Sequence, residues 1–205
     1  METIILQAEQ PDALIIAIKN LESGGLVAFP TDTVYGLGAS IQQPEAIERL
    51  FKVKQREPSK AIPVLLGNPS DLTLISQQIG FNALRLAEEF WPGPLTLVLT
   101  RNPSLPEILS QTNTIGVRMP DHRVALDLLG MCGPLAVTSA NRSGSPSART
   151  ADEIIDQLGG QIDLILDGGL TPGGIPSTVV DCTTERLEII RPGPISKDEL
   201  LAVIS

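Results

Sequence analysis

The chain is 205 residues long, enough to bury a sizeable core without staples, and its length suits one domain, residues 1–205. Its formal charge is −9. A dedicated nucleic-acid binder carries a basic face, because phosphate neutralisation dominates its affinity, so direct tRNA or DNA binding is expected to be weak or absent. Aromatic residues make up 3% of the chain, so a ring such as Tyr35 or Trp91 can act only locally.

In chain order, Ile4–Leu6 reads as a short strand. Asp12 stands as N-cap of a helix over Ala13–Leu21, where Leu14, Ile15, Ile18 and Leu21 recur at helical spacing before Gly24-Gly25 ends it. Leu26–Phe29 is an apolar run stopped by Pro30, a buried strand feeding a loop over Pro30–Ala39. A helix is expected over Pro44–Lys52, a strand at Ala61–Leu66, and helices near Asp71–Ile75 and Asn82–Phe90. Leu95–Thr100 and Thr114–Arg118 read as strands, with a helix at Arg123–Leu129 and a strand at Leu135–Thr138 running into Ser139-Ala140-Asn141. A helix at Ala151–Leu158, a strand at Leu164–Leu166 and a strand pair at Thr178–Asp181 and Leu187–Arg191 follow. Ser196 with Glu199 has the spacing of a capping box for a last helix, Lys197–Ile204. Strands and helices interleave without strict alternation, which fits an open α/β fold with a mixed sheet and packed helices.

Cys132 and Cys182 lack metal-ligand spacing, and the single His122 excludes a His-rich zinc site, so reduced thiols and no protein-held metal are expected. The start, METIILQAEQ, has no basic region leading into a signal-type apolar stretch, and no run approaches the ~18 apolar residues that span a bilayer, which points to the cytoplasm and to no membrane partner.

Three polar segments carry the chemistry. Pro30–Ala39 places two hydroxyls, a carboxylate and a phenol before two glycines, where backbone can approach a ligand or take positive φ; a polar turn is the plainer alternative. Lys52, Lys54, Arg56 and Lys60 fall close together in a chain with only 15 Lys and Arg. Arg suits phosphate by its bidentate fork and Lys as a point charge, although cations at a helix C-terminus are also ordinary. Thr138–Ser147 is dense in hydroxyls directly after an apolar strand, where α/β proteins tend to bind ligands, and turn chemistry explains such a run equally well. There is no GxxxxGK[ST] loop and no GxSxG elbow.

Together these segments resemble the Sua5/YciO/YrdC family. Pro30–Ala39 matches its PT[DE]TVYGLG signature, Lys54-Gln-Arg56 its KxR pair, and Ser139-Ala-Asn141-Arg-Ser-Gly144 its SAN-x-SG. Trp91–Thr96, Val117-Arg118 and Ile190–Gly193 also match, so the resemblance covers residues 10–195 or thereabouts. It implies an open twisted sheet with a large concave cavity, and ATP, L-threonine and bicarbonate as substrates, with Mg2+ accompanying ATP. The products implied are threonylcarbamoyl-AMP and pyrophosphate, the former passed to a separate transferase complex that modifies tRNA. By motif, Thr33, Arg118 and Thr138 would hold threonine. Lys54, Arg56, Lys60, Thr114, Ser139, Ala140, Asn141, Ser147 and Arg191 would line the ATP site, with Lys54 and Arg56 offsetting phosphate charge. Some archaeal members have a His where Leu65 stands. The chain's end near residue 205 suits the short type without a further C-terminal domain. The rival readings are a YciO-like paralogue of different chemistry, a module binding double-stranded RNA or nucleotide without synthesis, and a carbamoyl-transfer module.

Overall fold

The computed structural model describes residues 2–173, 175–184 and 186–204. The elements in chain order are β1 (Ile4–Gln7), α1 (Ala13–Glu22), β2 (Val27–Phe29), β3 (Gly36–Ser40), α2 (Pro44–Lys54) and β4 (Val64–Leu65). Next come α3 (Leu72–Ile75), α4 (Phe81–Phe90), β5 (Leu95–Thr100), β6 (Thr114–Arg118), α5 (Arg123–Cys132) and β7 (Leu135–Ser139). The rest are α6 (Ala151–Leu158), β8 (Leu164–Asp167), β9 (Thr178–Asp181), β10 (Glu188–Arg191) and α7 (Lys197–Ile204), with single 3-10 turns at Pro69–Asp71 and Glu107–Leu109. The described strands join one mixed sheet in the order β1-β8-β2-β3-β7-β4-β6-β5-β9-β10.

Strand alternation decides which side chains meet ligand and which meet core. In β5, Leu95, Leu97 and Leu99 are buried in the larger hydrophobic cluster, with α2, α4 and α6, while Thr96 and Val98 point to the opposite face. β6 does the same with Ile115 and Val117 inside and Gly116 and Arg118 opposite. A second, smaller cluster covers that opposite face at the β8–β2–β3–β7 end. There Ala13, Ala17 and Leu21 of α1 and Ala125, Leu128 and Leu129 of α5 pack on Val27, Phe29, Leu135 and Val137. Leu65 and Val137 belong both to this cluster and to the wall of a cavity beside it. The two helices thus cover only part of the face, and the uncovered strands form the cavity floor.

Several local expectations change. The second half of the Pro30–Ala39 segment is not loop but β3, paired antiparallel with β2 and β7. Its Gly-Leu-Gly-Ala sequence hides the strand because the residues on one face have no side chain. Neither Gly36 nor Gly38 has positive φ. They are small for packing: a Cβ on Gly36 would sit 2.7 Å from Val137 Cγ1, and one on Gly38 would sit 2.9 Å from Phe29 Cε1. Asp12 does not cap α1 with its side chain, because it is already in the right-handed helical region (φ −99°) and the Ala13 N–H donates to the Gln10 carbonyl 3.1 Å away. The Ala61–Leu66 strand contracts to β4, as Pro63 cannot donate to a ladder. At the other end of the chain the capping box forms in full: Glu199 Oε2 accepts from Ser196 N at 2.8 Å, and Ser196 Oγ accepts from Glu199 N at 3.3 Å.

Because Val137 is both core and cavity wall, Gly36→Ala is expected to cost about 1–3 kcal/mol of stability by overpacking. Urea denaturation checks this; an unchanged midpoint would contradict the close approach.

Candidate functional site

The cavity has a volume of about 570 Å³. Its floor is Leu65, Thr96, Val98, Gly116 and Val179, and its polar wall includes Thr31, Thr33, Thr138, Ser139, Ser147 and Ser177. Three arginines, Arg56, Arg118 and Arg191, reach it, and no Asp or Glu is among the described residues that line it. In a chain of net charge −9 this is a concentrated positive field.

Arg56 and Arg191 are held by neutral acceptors, which position a guanidinium without cancelling its charge, while Arg118 has a carboxylate among its partners. Arg56 Nε donates to the Lys60 carbonyl at 3.0 Å and Nη2 to that of Ala61 at 2.8 Å. Arg191 Nε and Nη2 donate to the Ser177 carbonyl at 3.2 and 2.9 Å, and Nη2 also to Ser177 Oγ at 3.1 Å. Arg118 Nε donates to the Gly93 carbonyl at 3.0 Å, Nη1 donates to Thr33 Oγ1 at 3.1 Å, and Nη2 pairs with Asp32. Burial holds all three below the usual arginine range; for Arg118 the Asp32 carboxylate opposes that shift and the Arg191 charge adds to it.

The four cations expected around a phosphate site separate into different roles. Lys52 forms an exposed i,i+4 pair with Glu48 at 3.8 Å, and Lys60 an exposed pair with Glu57 at 3.5 Å. Only Arg56 faces the cavity. Lys54 does not line it, contrary to expectation: the residue is 2% exposed, and its Nζ donates to the carbonyls of Ser139 and Asn141 and lies 3.4 Å from Asn141 Oδ1. The divergence arises at Gln55, the C-cap of α2, which takes the left-handed conformation (φ 52°) and turns the chain between the two cations. Lys54 is therefore a clamp on the loop after β7. Burial first, and the nearby Arg56 charge second, pull its pKa down to about 7.

Asn141 is likewise turned into its own loop, its Nδ2 donating to the carbonyls of Arg142 and Ser145 at 2.8 and 2.7 Å. Ala140 is fully buried, with its N–H donated to the Tyr35 carbonyl. Thr114 lies on the cavity face of β6, two residues beyond Gly116, and shares a 2.9 Å hydrogen bond with Thr112 rather than joining the wall. Of the residues expected on sequence grounds, Thr33, Arg56, Arg118, Thr138, Ser139, Ser147 and Arg191 come together at the cavity, and Lys54, Lys60, Thr114, Ala140 and Asn141 do not line it.

Sequence reasoning assigned no individual role to Asp32, Thr31 or Thr96, although they stand in the motifs quoted above, and did not point to Ser177. The signal for Thr96 lay in the alternation of Leu95–Thr100; Ser177 gave none. Tyr35 is a strut rather than a ligand platform. Its hydroxyl donates to the Gly169 carbonyl at 2.7 Å and accepts from Gly168 N at 3.1 Å, and burial raises its pKa to about 12.

The Sua5/YciO/YrdC family model, described as telomere recombination, matches residues 19–193. The chain belongs to this family. It is 39% identical over 191 residues to the threonylcarbamoyl-AMP synthase of Pyrococcus abyssi, covering 92% of this chain and 56% of that protein. With the Bacillus subtilis enzyme of the same name it shares 38% over 187 residues, covering 90% of this chain and 54% of that one. It thus spans little more than half the length of these two relatives. The structure of P. abyssi Sua5 complexed with L-threonine superposes with a TM-score of 0.93 at 37% identity, covering 100% of this chain and 61% of the other. Escherichia coli YciO superposes with a TM-score of 0.85 at 30% identity, covering 97% and 98%.

The Lys54 clamp has a pH signature. Its folded pKa, near 7, lies below the ordinary 10.5, so between those values the unfolded chain binds the extra proton, and this group's contribution to stability rises with pH. The stability difference between the wild type and Lys54→Met should therefore move in favour of the wild type from pH 7 to pH 9. Urea unfolding at the two pH values checks this, and a constant difference would contradict it.

Proposed function

We propose that this protein is an L-threonylcarbamoyladenylate synthase, taking L-threonine, bicarbonate or CO2, and ATP to threonylcarbamoyl-AMP and pyrophosphate. The observation that carries the reading is the carboxylate-free cavity with Arg56, Arg118 and Arg191, in a chain similar to named synthases over most of its length. Two anions must be held side by side, an amino-acid carboxylate and a polyphosphate, and Arg is the side chain suited to both.

The roles carried by the family's motifs fit these positions. Arg118 takes the threonine carboxylate, with Thr33 and Thr138 hydroxyls beside it. Arg56 and Arg191 face the phosphates from the neighbouring parts of the wall, with Ser139 and Ser147 as hydroxyl partners. The threonine amine forms a C–N bond with CO2 and loses a proton, giving an N-carboxylate. One oxygen of that carboxylate attacks the α-phosphorus; the bond from α-phosphorus to the bridging oxygen breaks, and pyrophosphate leaves. Catalysis is by positioning and by fixed positive charge where negative charge accumulates, and no side chain serves as a covalent nucleophile. Mg2+ arriving with ATP would supply further neutralisation; among the described residues no group of three or more His, Cys, Asp or Glu is placed to hold a metal ion.

Residues 1–205 are read as one functional unit because a single sheet runs through them, and the product is passed to a separate threonylcarbamoyl transferase complex for tRNA position 37. The net charge of −9 supports little direct contact with tRNA. No helix among the described residues is long and apolar enough to cross a membrane, which supports a cytoplasmic place for the reaction.

Arg56→Ala should reduce pyrophosphate release at saturating threonine by roughly 100-fold or more, in line with loss of a charge-stabilising donor. Arg118→Ala should instead chiefly raise the threonine concentration needed for half-maximal rate. Wild-type turnover by a folded Arg56→Ala variant, or an unaltered threonine dependence for Arg118→Ala, would contradict these roles.

A further inference from the structure

Arg118 differs from the other two cavity arginines in having a carboxylate partner. Its side chain is 8% exposed and that of Asp32 14%, so the pair is almost out of water. Asp32 itself is not part of the cavity wall, whereas Thr31 and Thr33 on either side of it are. A local network fixes that alternation: Thr31 Oγ1 donates to the Val34 carbonyl at 2.6 Å and accepts from Thr33 N at 3.2 Å and Val34 N at 3.3 Å. The bend places Thr31 and Thr33 on the cavity wall and leaves the Asp32 carboxylate against Arg118.

A guanidinium has five N–H groups. Gly93, Thr33 and Asp32 engage one each on Nε, Nη1 and Nη2, so all three nitrogens are anchored and one N–H remains on each Nη. A planar group anchored through all three nitrogens is held in its plane, and the N–H left on each Nη is free for a further acceptor. Gly93 and Thr33 are neutral acceptors; Asp32 gives the one charge-assisted anchor.

We propose that Asp32 is a positioning residue for the amino-acid site: it locks Arg118 so that the remaining pair of N–H groups meets the substrate carboxylate in fixed geometry. This rests on Arg118 being the carboxylate binder of the proposed synthase. The carboxylate is needed as an oriented acceptor, and Asn, which keeps an oxygen at the same reach, should largely replace it. Asp32 would act on threonine and not on ATP, because Arg56 and Arg191 are held by other partners.

The experiment compares wild type, Asp32→Ala and Asp32→Asn in two measurements at one pH. In the ligand-free proteins, the Arg118 Nε–H side-chain resonance in 15N NMR should exchange slowly in the wild type and in Asp32→Asn, and broaden or vanish in Asp32→Ala. In pyrophosphate-release kinetics, Asp32→Ala should raise KM for threonine at least tenfold with KM for ATP within twofold of wild type, and Asp32→Asn should restore most of the loss. An unchanged Arg118 resonance in Asp32→Ala, equal rises in both KM values, or Asp32→Asn no better than Asp32→Ala would each overturn the proposal. If Asp32→Ala does not fold, a threonine KM for Asp32→Asn more than tenfold above wild type overturns it equally, and one within about threefold, with a retained Arg118 resonance, supports it. A wild type that shows the locked resonance but releases no pyrophosphate with threonine would instead overturn the synthase reading, leaving the NMR comparison to decide the role of Asp32.

Discussion

The contact on which the site depends is the Lys54 amino group against the carbonyl oxygens of Ser139 and Asn141. It ties the end of α2 to the loop after β7, two segments 85 residues apart in the chain. The reverse bond, Ser143 N to the Lys54 carbonyl at 2.9 Å, closes the tie from the other side. The Ser139 and Asn141 carbonyls turn to the buried Lys54 amino group, while Thr138, Ser139 and Ser147 line the cavity. Removing the amino group would leave buried oxygens without donors, a cost of about 1–3 kcal/mol each. The clamp thus converts a flexible Ser/Asn-rich run into one wall of a rigid site.

The second constraint is electrostatic. Arginines fixed by carboxylates would be positioned but largely neutralised, and arginines left free would be charged but mobile. For Arg56 and Arg191 the main-chain carbonyls of Lys60, Ala61 and Ser177 give orientation and leave the charge uncancelled, whereas Arg118 shares its charge with Asp32. An acidic chain thus concentrates three arginines at one cavity that no carboxylate among the described residues lines. The sheet supplies the rest: alternation on β5 and β6 sends leucines, Ile115 and Val117 to one face and cavity residues to the other, and partial helix cover leaves that face open.

Much of this was legible beforehand, for identifiable reasons. The apolar runs at Leu26–Phe29, Leu95–Thr100 and Leu135–Thr138 gave their strands, because burial on a sheet face imposes a readable pattern. β3 was hidden because Gly36 and Gly38 erase alternation, and their reason for being small lies across the sheet in Val137 and Phe29. The basic segment does bring Arg56 to the cavity, yet spacing alone could not show that a left-handed Gln55 sends Lys54 into the protein and Arg56 to the cavity wall. Asp32 escaped notice as a site residue because its partner, Arg118, lies 86 residues away and no local pattern links them.

The central claim is that this cavity joins an amino-acid carbamate to adenylate. The most direct measurement is to incubate the protein with ATP, L-threonine and carbon-labelled bicarbonate and to separate the nucleotide products. The account predicts a labelled adenylate that appears only when threonine is present, in step with pyrophosphate. Absence of label from any nucleotide, with the protein folded and all three substrates saturating, would contradict it.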